Sequence, residues 1–277
     1  MAPVASGQRG GWHRWLDVLA RLRGGRLRDP TGLPLREARL RRHGDFVSLQ
    51  FSRGQTQSRM LASDPGHLLI DYTRTMLAAL LWQPRPACIG MVGLGGGSQA
   101  KFCHLHLRGS RIEVVENHPG VIALRREFGI PDDDARLRVE LDDGARFLRA
   151  RPGRFDLLLV DGYDPSGIPE ALSSQAFYDD CRAALADGGV MAGNLFCADP
   201  ATHVERLERS FGSDRVLVLE EAKMSNRVAF AWVGGAPAGD DASVERTHSA
   251  LSREALRELG PSIERVARAL RRRPPAT

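Results

Sequence analysis

Met91-Val92-Gly93-Leu94-Gly95-Gly96-Gly97-Ser98-Gln99 is the stretch on which the reading of the fold turns. An apolar run over residues 87–94 enters it and an amphipathic segment over 99–107 leaves it, so the order is strand, glycine turn, helix. Glycines suit such a turn because the backbone must bend tightly, visit positive φ, and let a ligand approach closer than a Cβ admits.

Outward from that turn, strand-like runs recur at 111–116, 137–141, 155–161 and 189–196, with helical segments between them. This alternation predicts a parallel sheet with helices on both faces. The rhythm then breaks. Runs at 215–220 and 227–233 are joined by a link too short for a helical crossover, so they are expected to pair antiparallel. Five parallel strands closed by an antiparallel hairpin is the arrangement of class I S-adenosylmethionine-dependent transferases. The expected class is therefore α/β, an S-adenosylmethionine-dependent methyltransferase-like Rossmann sheet with a terminal antiparallel hairpin; a dehydrogenase would continue with a sixth parallel strand.

Upstream, residues 26–52 read as short extended pieces broken at Asp29-Pro30-Thr31-Gly32 and His43-Gly44-Asp45. Alternation over 46–51 after the Gly-Asp turn predicts a small N-terminal β-hairpin domain. Residues 54–58 read as a polar loop and 68–81 as a helix. The expected organisation is a basic segment (1–25), the hairpin domain (26–60), the α/β domain (61–235), and a linker with a peripheral helical tail (236–277).

At 277 residues the chain can bury one generous core, which favours one large domain plus an appendage. The longest uncharged apolar run, residues 76–83, is too short to span a bilayer. Residues 1–28 hold no apolar stretch ending in a small-residue cleavage site, so no secretory leader is expected. Trp12, Trp15, Leu16 and Leu19 are read as one face of a docking helix rather than a membrane-surface element. Cys88, Cys103, Cys181 and Cys197 form no Cys-x-x-Cys pair, and His104 and His106 cannot share a helix face; no metal site and no disulfide framework is expected, and a reducing cytoplasm is.

The net charge of +5 raises the question of nucleic acid. The cations are nearly all Arg and dispersed, and the densest group, Arg268, Arg271, Arg272 and Arg273, ends a C-terminal helix before Pro274. Cations suit a helix C-terminus, so this group is read as a solvated cap rather than a nucleic-acid arm.

The strand ends carry the chemistry. Glu116 follows the glycine loop by about 20 residues, where a carboxylate can accept both ribose hydroxyls of a nucleoside. Asp142-Asp143-Gly144 ends the third strand; Asp143 is a candidate acceptor for an adenine amino group and equally an N-cap for the next helix. The fourth strand ends in Asp161-Gly162-Tyr163-Asp164-Pro165-Ser166-Gly167, whose two carboxylates lie at the sheet edge where open α/β sheets bind ligands. Such groups can hold a cationic substrate and accept its proton.

Gly95-Gly96-Gly97, Val115-Glu116, Asp143-Gly144 and above all Asp161-x-x-Asp164-Pro165-x-Gly167 followed by Phe177-Tyr178 resemble the spermidine synthase family of polyamine aminopropyltransferases. Gly54-x-x-Gln57 and Tyr72 extend the resemblance upstream, so that it covers about residues 46–196. It implies a decarboxylated S-adenosylmethionine co-substrate and no tightly bound cofactor. Glu116 would meet the ribose, Asp143 the adenine, and Gln57 the donor's flank; Gly95, Gly96, Gly97, Ser98 and Gly144 would complete the donor site. Asp161 would be the proton acceptor, with Asp164 and Tyr72 on a small-molecule amine.

Three departures stand out. Ser98 replaces the acid that follows the family's glycines, Thr73-Arg74 replaces a His-Glu pair after the tyrosine, and no Pro-Thr-Tyr segment with Gly-x-Trp follows the fifth strand. Aminopropyl transfer is thus the preferred reading. A methyltransferase using intact S-adenosylmethionine is the alternative, since Ser98 and Arg74 suit a donor carboxylate, and a nucleoside-binding or interaction protein without catalysis is the second. A homodimer through the exposed edge of the N-terminal hairpin is a further candidate.

Overall fold

The computed structural model describes residues 27–52, 55–163, 167–222 and 224–273. Three strands come first, β1 (Arg39–His43), β2 (Phe46–Ser52) and β3 (Gln55–Leu61), paired antiparallel in that order as a small sheet. The sequence predicts only a hairpin there, with a polar loop at 54–58; residues 55–58 instead open β3. Its Gln-Thr-Gln-Ser run offers no apolar alternation, and what holds it is backbone pairing, with Val47 opposite Met60 and Leu49 opposite Ser58. Val47 and Leu49 are buried and join the sheet to the main core.

The chain then enters α1 (Asp71–Leu77) and a 3₁₀ turn (Ala78–Leu81) before the alternation begins: β4 (Cys88–Val92), α2 (Ser98–His106), β5 (Arg111–Glu116), α3 (Pro119–Ala123), β6 (Leu137–Leu141), α4 (Gly144–Arg149), β7 (Phe155–Val160), α5 (Gln175–Ala184), β8 (Leu185–Leu195) and α6 (Pro200–Phe211). Strands β9 (Val216–Glu220) and β10 (Arg227–Trp232) and helices α7 (Asp241–Ala250) and α8 (Arg253–Arg271) complete it. The sheet order is β6-β5-β4-β7-β8-β10-β9, parallel except for β10, which runs antiparallel to both β8 and β9. This is the predicted parallel sheet with its terminal hairpin.

The sheet is buried on both faces. Ile89, Met91, Ile112, Val114, Leu157 and Leu159 pack on one side against α1, α2 and α8, while Val92, Val115, Leu158 and Met191 pack on the other against α4, α5 and α6. Successive strands diverge from β4 in opposite directions, first to β5 and then to β7. Their carboxyl ends part at that point and leave the crevice in which open α/β sheets hold ligands.

Expectation and structure differ at the tail. The helical segments after residue 235 are not peripheral: Ala255, Leu259, Ile263, Val266, Ala267 and Leu270 line one face of α8 and are buried against α1 and the following turn. Nor is the arginine cluster simply a solvated cap. Arg271 donates to the Gly239 carbonyl, and Arg273 donates to the Asp214 carbonyl at 2.9 Å with its guanidinium 4.8 Å from the Trp232 ring centroid. These cations fasten the end of α8 to the body. The basic segment at 1–25 lies outside the described residues. Among those described, no helix is long and apolar enough to cross a membrane.

Candidate active site

A cavity of about 860 Å³ opens at the carboxyl edge of β4, β5, β6 and β7. Its floor is the glycine loop. Gly93 has φ 96°, and a Cβ there would stand 2.3 Å from the Asp161 carbonyl oxygen, so only glycine lets the β4 and β7 ends cross this closely. Gly97, at φ 67°, turns the chain into α2, whose N-cap has no side-chain hydrogen bond. Gly95, Gly96, Ser98 and Gln99 line the wall around it.

Glu116 ends β5 and is only 8% exposed. Its Oε2 accepts from the amides of Leu94 at 2.9 Å and Gly95 at 3.5 Å, and its Oε1 from that of His118 at 2.9 Å. The carboxylate therefore shapes the glycine loop from below. Three of the roughly four acceptor sites on its two oxygens are thus engaged, one of them only by the long 3.5 Å contact, so one free site and that weakly held one are left for hydroxyl protons. Nothing in the spacing of the sequence announced this second task.

Asp143 is the N-cap of α4, accepting from the Arg146 amide at 2.9 Å, and Asp142 binds the Arg146 guanidinium through Nε at 2.7 Å. Both line the cavity, as does Gly144. Capping engages Oδ1 of Asp143 and leaves Oδ2 as an acceptor. The two readings of Asp143 are thus compatible in one side chain.

Asp161 follows β7. Its Oδ2 accepts from the Tyr72 hydroxyl on α1 at 2.9 Å, and its Oδ1 from the Asn194 side-chain amide on β8 at 2.9 Å. Burial raises its pKa above the ordinary 3.8, and the two donors partly offset that rise. Burial also raises the Tyr72 phenol well above 10.0, the Asp161 charge adding to the effect, so Tyr72 remains a donor. Tyr163 turns back over the strand ends, donating to the Asn194 carbonyl at 2.6 Å and accepting from the Phe196 amide at 2.5 Å. Asn194 is a site residue that the sequence reading overlooked. Its only signal is an amide inside an otherwise apolar or small run, Val190-Met191-Ala192-Gly193-Asn194-Leu195.

Gln57 on β3 lines the same cavity, beside Ser58. Asp164 lies outside the described residues. Arg74 is a correction: it does not reach the cavity but pairs with Asp71 at 2.6 Å and Glu258 at 3.4 Å, lining a separate groove between α1 and α8. Residues 72 and 74 stand two apart on a helix and cannot share its face. A further unanticipated wall is the segment from Asp29 to Arg36. Asp29 closes its turn by accepting from Thr31 and Leu33 amides at 2.9 and 2.8 Å, and His118 Nε2 donates to the Arg36 carbonyl at 2.7 Å while its Nδ1 accepts from Gly120. Among the described residues, no group of three or more His, Cys, Asp or Glu side chains is placed to hold a metal ion.

The arrangement has two ends. One offers two acceptors, the buried Glu116 and the half-exposed Asp143, to a neutral donor-rich ligand such as a nucleoside; the other offers an oriented carboxylate, Asp161, to a group that must lose a proton.

Comparison with known proteins bears on the family and the fold. A profile of the spermine/spermidine synthase domain matches residues 84–199. The chain is 34% identical over 199 residues to a polyamine aminopropyltransferase of Chromobacterium violaceum, covering 71% of this chain and 76% of that one. Among solved structures, a probable spermidine synthase from Corynebacterium glutamicum superposes with a TM-score of 0.62 at 17% identity, over 77% of this chain and 82% of that one. Human methyltransferase-like protein 13, in complex with SAH, superposes with a TM-score of 0.55 at 23% identity, over 75% and 95%. These two structural likenesses speak for the fold.

Proposed function

The chain belongs to the spermine/spermidine synthase family, and on that premise we propose that it moves an aminopropyl group from decarboxylated S-adenosylmethionine to a small-molecule amine. The observation that carries the proposal is the Asp161 carboxylate, half-buried at the β7 edge of the cavity and oriented by two donors from different elements.

In this reading Glu116 accepts the ribose hydroxyls, Asp143 the adenine amino group, and Gln57 flanks the donor, with Gly95, Gly96, Gly97, Ser98 and Gly144 admitting it closely. The acceptor ammonium, with a pKa of roughly 10, loses its proton to Asp161. The freed nitrogen lone pair attacks the carbon beside the sulfonium, a C–N bond forms, and the C–S bond breaks with its electrons passing to sulfur. Methylthioadenosine leaves uncharged. Tyr72 and Asp164 hold the amine. Alignment of nitrogen, carbon and sulfur supplies much of the remaining rate.

One observation favours intact S-adenosylmethionine as donor. Ser98 brings no charge to the N-terminus of α2, whose cap has no side-chain hydrogen bond, and a carboxylate is welcome at such an end. Arg74 no longer supports this alternative.

Calorimetry with decarboxylated donor, intact donor and methylthioadenosine separates the readings. Aminopropyl transfer requires preference for the decarboxylated donor; preference for the intact one replaces it by methyl transfer, and no binding leaves an interaction protein. In the transfer reading Asp161→Asn lowers kcat by about 10²–10⁴-fold while methylthioadenosine binding stays within about twofold of the parent. An Asp161→Asn enzyme of undiminished activity refutes the role.

A further inference from the structure

The Asp161 carboxylate is the end of a longer chain of hydrogen bonds. Asn226, immediately before β10 and 6% exposed, donates from Nδ2 to Oδ1 of Asn194 at 2.9 Å, and Asn194 donates from Nδ2 to Oδ1 of Asp161 at 2.9 Å. The polarity is fixed from the carboxylate backwards. An ionised carboxylate only accepts, so Asn194 must turn its amide nitrogen towards Asp161 and its oxygen away. That oxygen then meets Asn226, which must present nitrogen. If Asn194 flipped, two acceptors would face each other at Asp161 and two donors at Asn226, and both mismatches would be buried.

We propose that Asn226 is a positioning residue, which acts through Asn194 to keep a hydrogen-bond donor on Asp161. The proposal rests on Asp161 being the proton acceptor for its meaning in catalysis, but not for its test. Asn226 itself is anchored by its backbone, its carbonyl accepting from the Glu221 amide at 2.9 Å across the β9–β10 hairpin. The terminal antiparallel hairpin thereby reaches a site built at the edge of the parallel strands. Among the described residues, the titratable groups facing Asp161 are Tyr72 on α1 and Tyr163 on its own turn, both held neutral by burial.

The experiment follows the Asp161 carboxyl directly, by carbon-13 NMR titration of aspartate-labelled protein, its resonance assigned by its loss in Asp161→Asn. Asn226→Ala frees Asn194 to rotate and is expected to raise the Asp161 pKa by about 0.5–1 unit; Asn194→Leu removes the donor and raises it by about one unit or more. Asn226→Asp inverts the polarity and raises it at least as far as Asn226→Ala. The acid limb of the kcat/KM profile moves with these values. An unchanged Asp161 pKa in Asn226→Ala, or a shift only in the charged Asn226→Asp, overturns the relay. Should Asn226→Ala fail to fold, Asn226→Ser, too short to reach Asn194, takes its place with the same two outcomes. The relay and the transfer reading fail separately: a moved resonance without aminopropyl transfer sinks only the latter, and transfer with an unmoved resonance sinks only the former.

Discussion

Tyr72 is where a single oxygen atom separates positioning from shape. Tyr72→Phe keeps the ring in its packing and removes the 2.9 Å donor to Asp161. A hydrogen bond to a charged acceptor is worth about 1.5–3 kcal/mol, or roughly one to two pKa units. The donor favours the ionised carboxylate, so its loss raises the Asp161 pKa further, and the acid limb of kcat/KM should move up by about one pH unit. An unmoved limb would leave Tyr72 as a packing residue only. That Glu116, Asp143 and Asp161 would line one cavity could be read from the sequence because each lies at or just beyond the end of a strand, and strand ends are where this sheet class forms its crevice. Asn194 could not, since an amide inside a strand has no spacing rule. Arg74 misled because adjacency along a helix is not adjacency in space. Asp29 and His118 escaped notice because a turn and a strand-end histidine announce nothing about what folds over them.

Helix α8 shows the same contrast at the level of elements. Its apolar residues recur at 255, 259, 263, 266, 267 and 270, a helical stripe visible in the sequence, but periodicity says that a face is buried and not against what. The partner turns out to be α1, the helix that carries Tyr72. Leu259 is fully buried, so Leu259→Ala should cost about 2–5 kcal/mol, measured as a lower urea midpoint at unchanged slope. A loss below about 0.5 kcal/mol would mean that the tail is an ornament after all. Strand β3 is the opposite case: no stripe exists, and its pairing with β2 is supplied almost wholly by main-chain groups that all residues share.

At the scale of the molecule, the direction of the strands, parallel and then an antiparallel pair, was readable because a parallel sheet forces helical crossovers and a short link forbids one. The joint between the small sheet and the main domain was not, and it contains an ionisable group. Lys101 on α2 is 5% exposed; its Nζ donates to the Phe128 carbonyl at 2.7 Å and approaches the Met60 sulfur on β3 at 3.3 Å. Burial lowers its pKa from 10.5 to about 8. Below about pH 8 both folded and unfolded chains carry the charge and the burial penalty is present in full; between about 8 and 10.5 the folded state releases its proton first, so stability contributed by this group rises with pH. Relative to Lys101→Met, the parent should therefore gain up to about 3 kcal/mol across that interval. A difference in unfolding free energy that stays constant with pH would remove Lys101 as the cause.

The clasp between α1 and α8 also sets an order of events during synthesis. Glu258 holds His67 and Arg74, and Arg265 spans Thr75 at 3.3 Å and Glu221 at 2.8 Å, so both flanks of α1 wait for residues translated after the whole sheet. A nascent chain with β10 already clear of the ribosome can seat α1 on β8 and β10, yet the helix that carries Tyr72 still lacks its cover from α8. In the transfer reading proposed above, the helix that carries the hydroxyl partner of Asp161 is held on both sides only once α8 has docked.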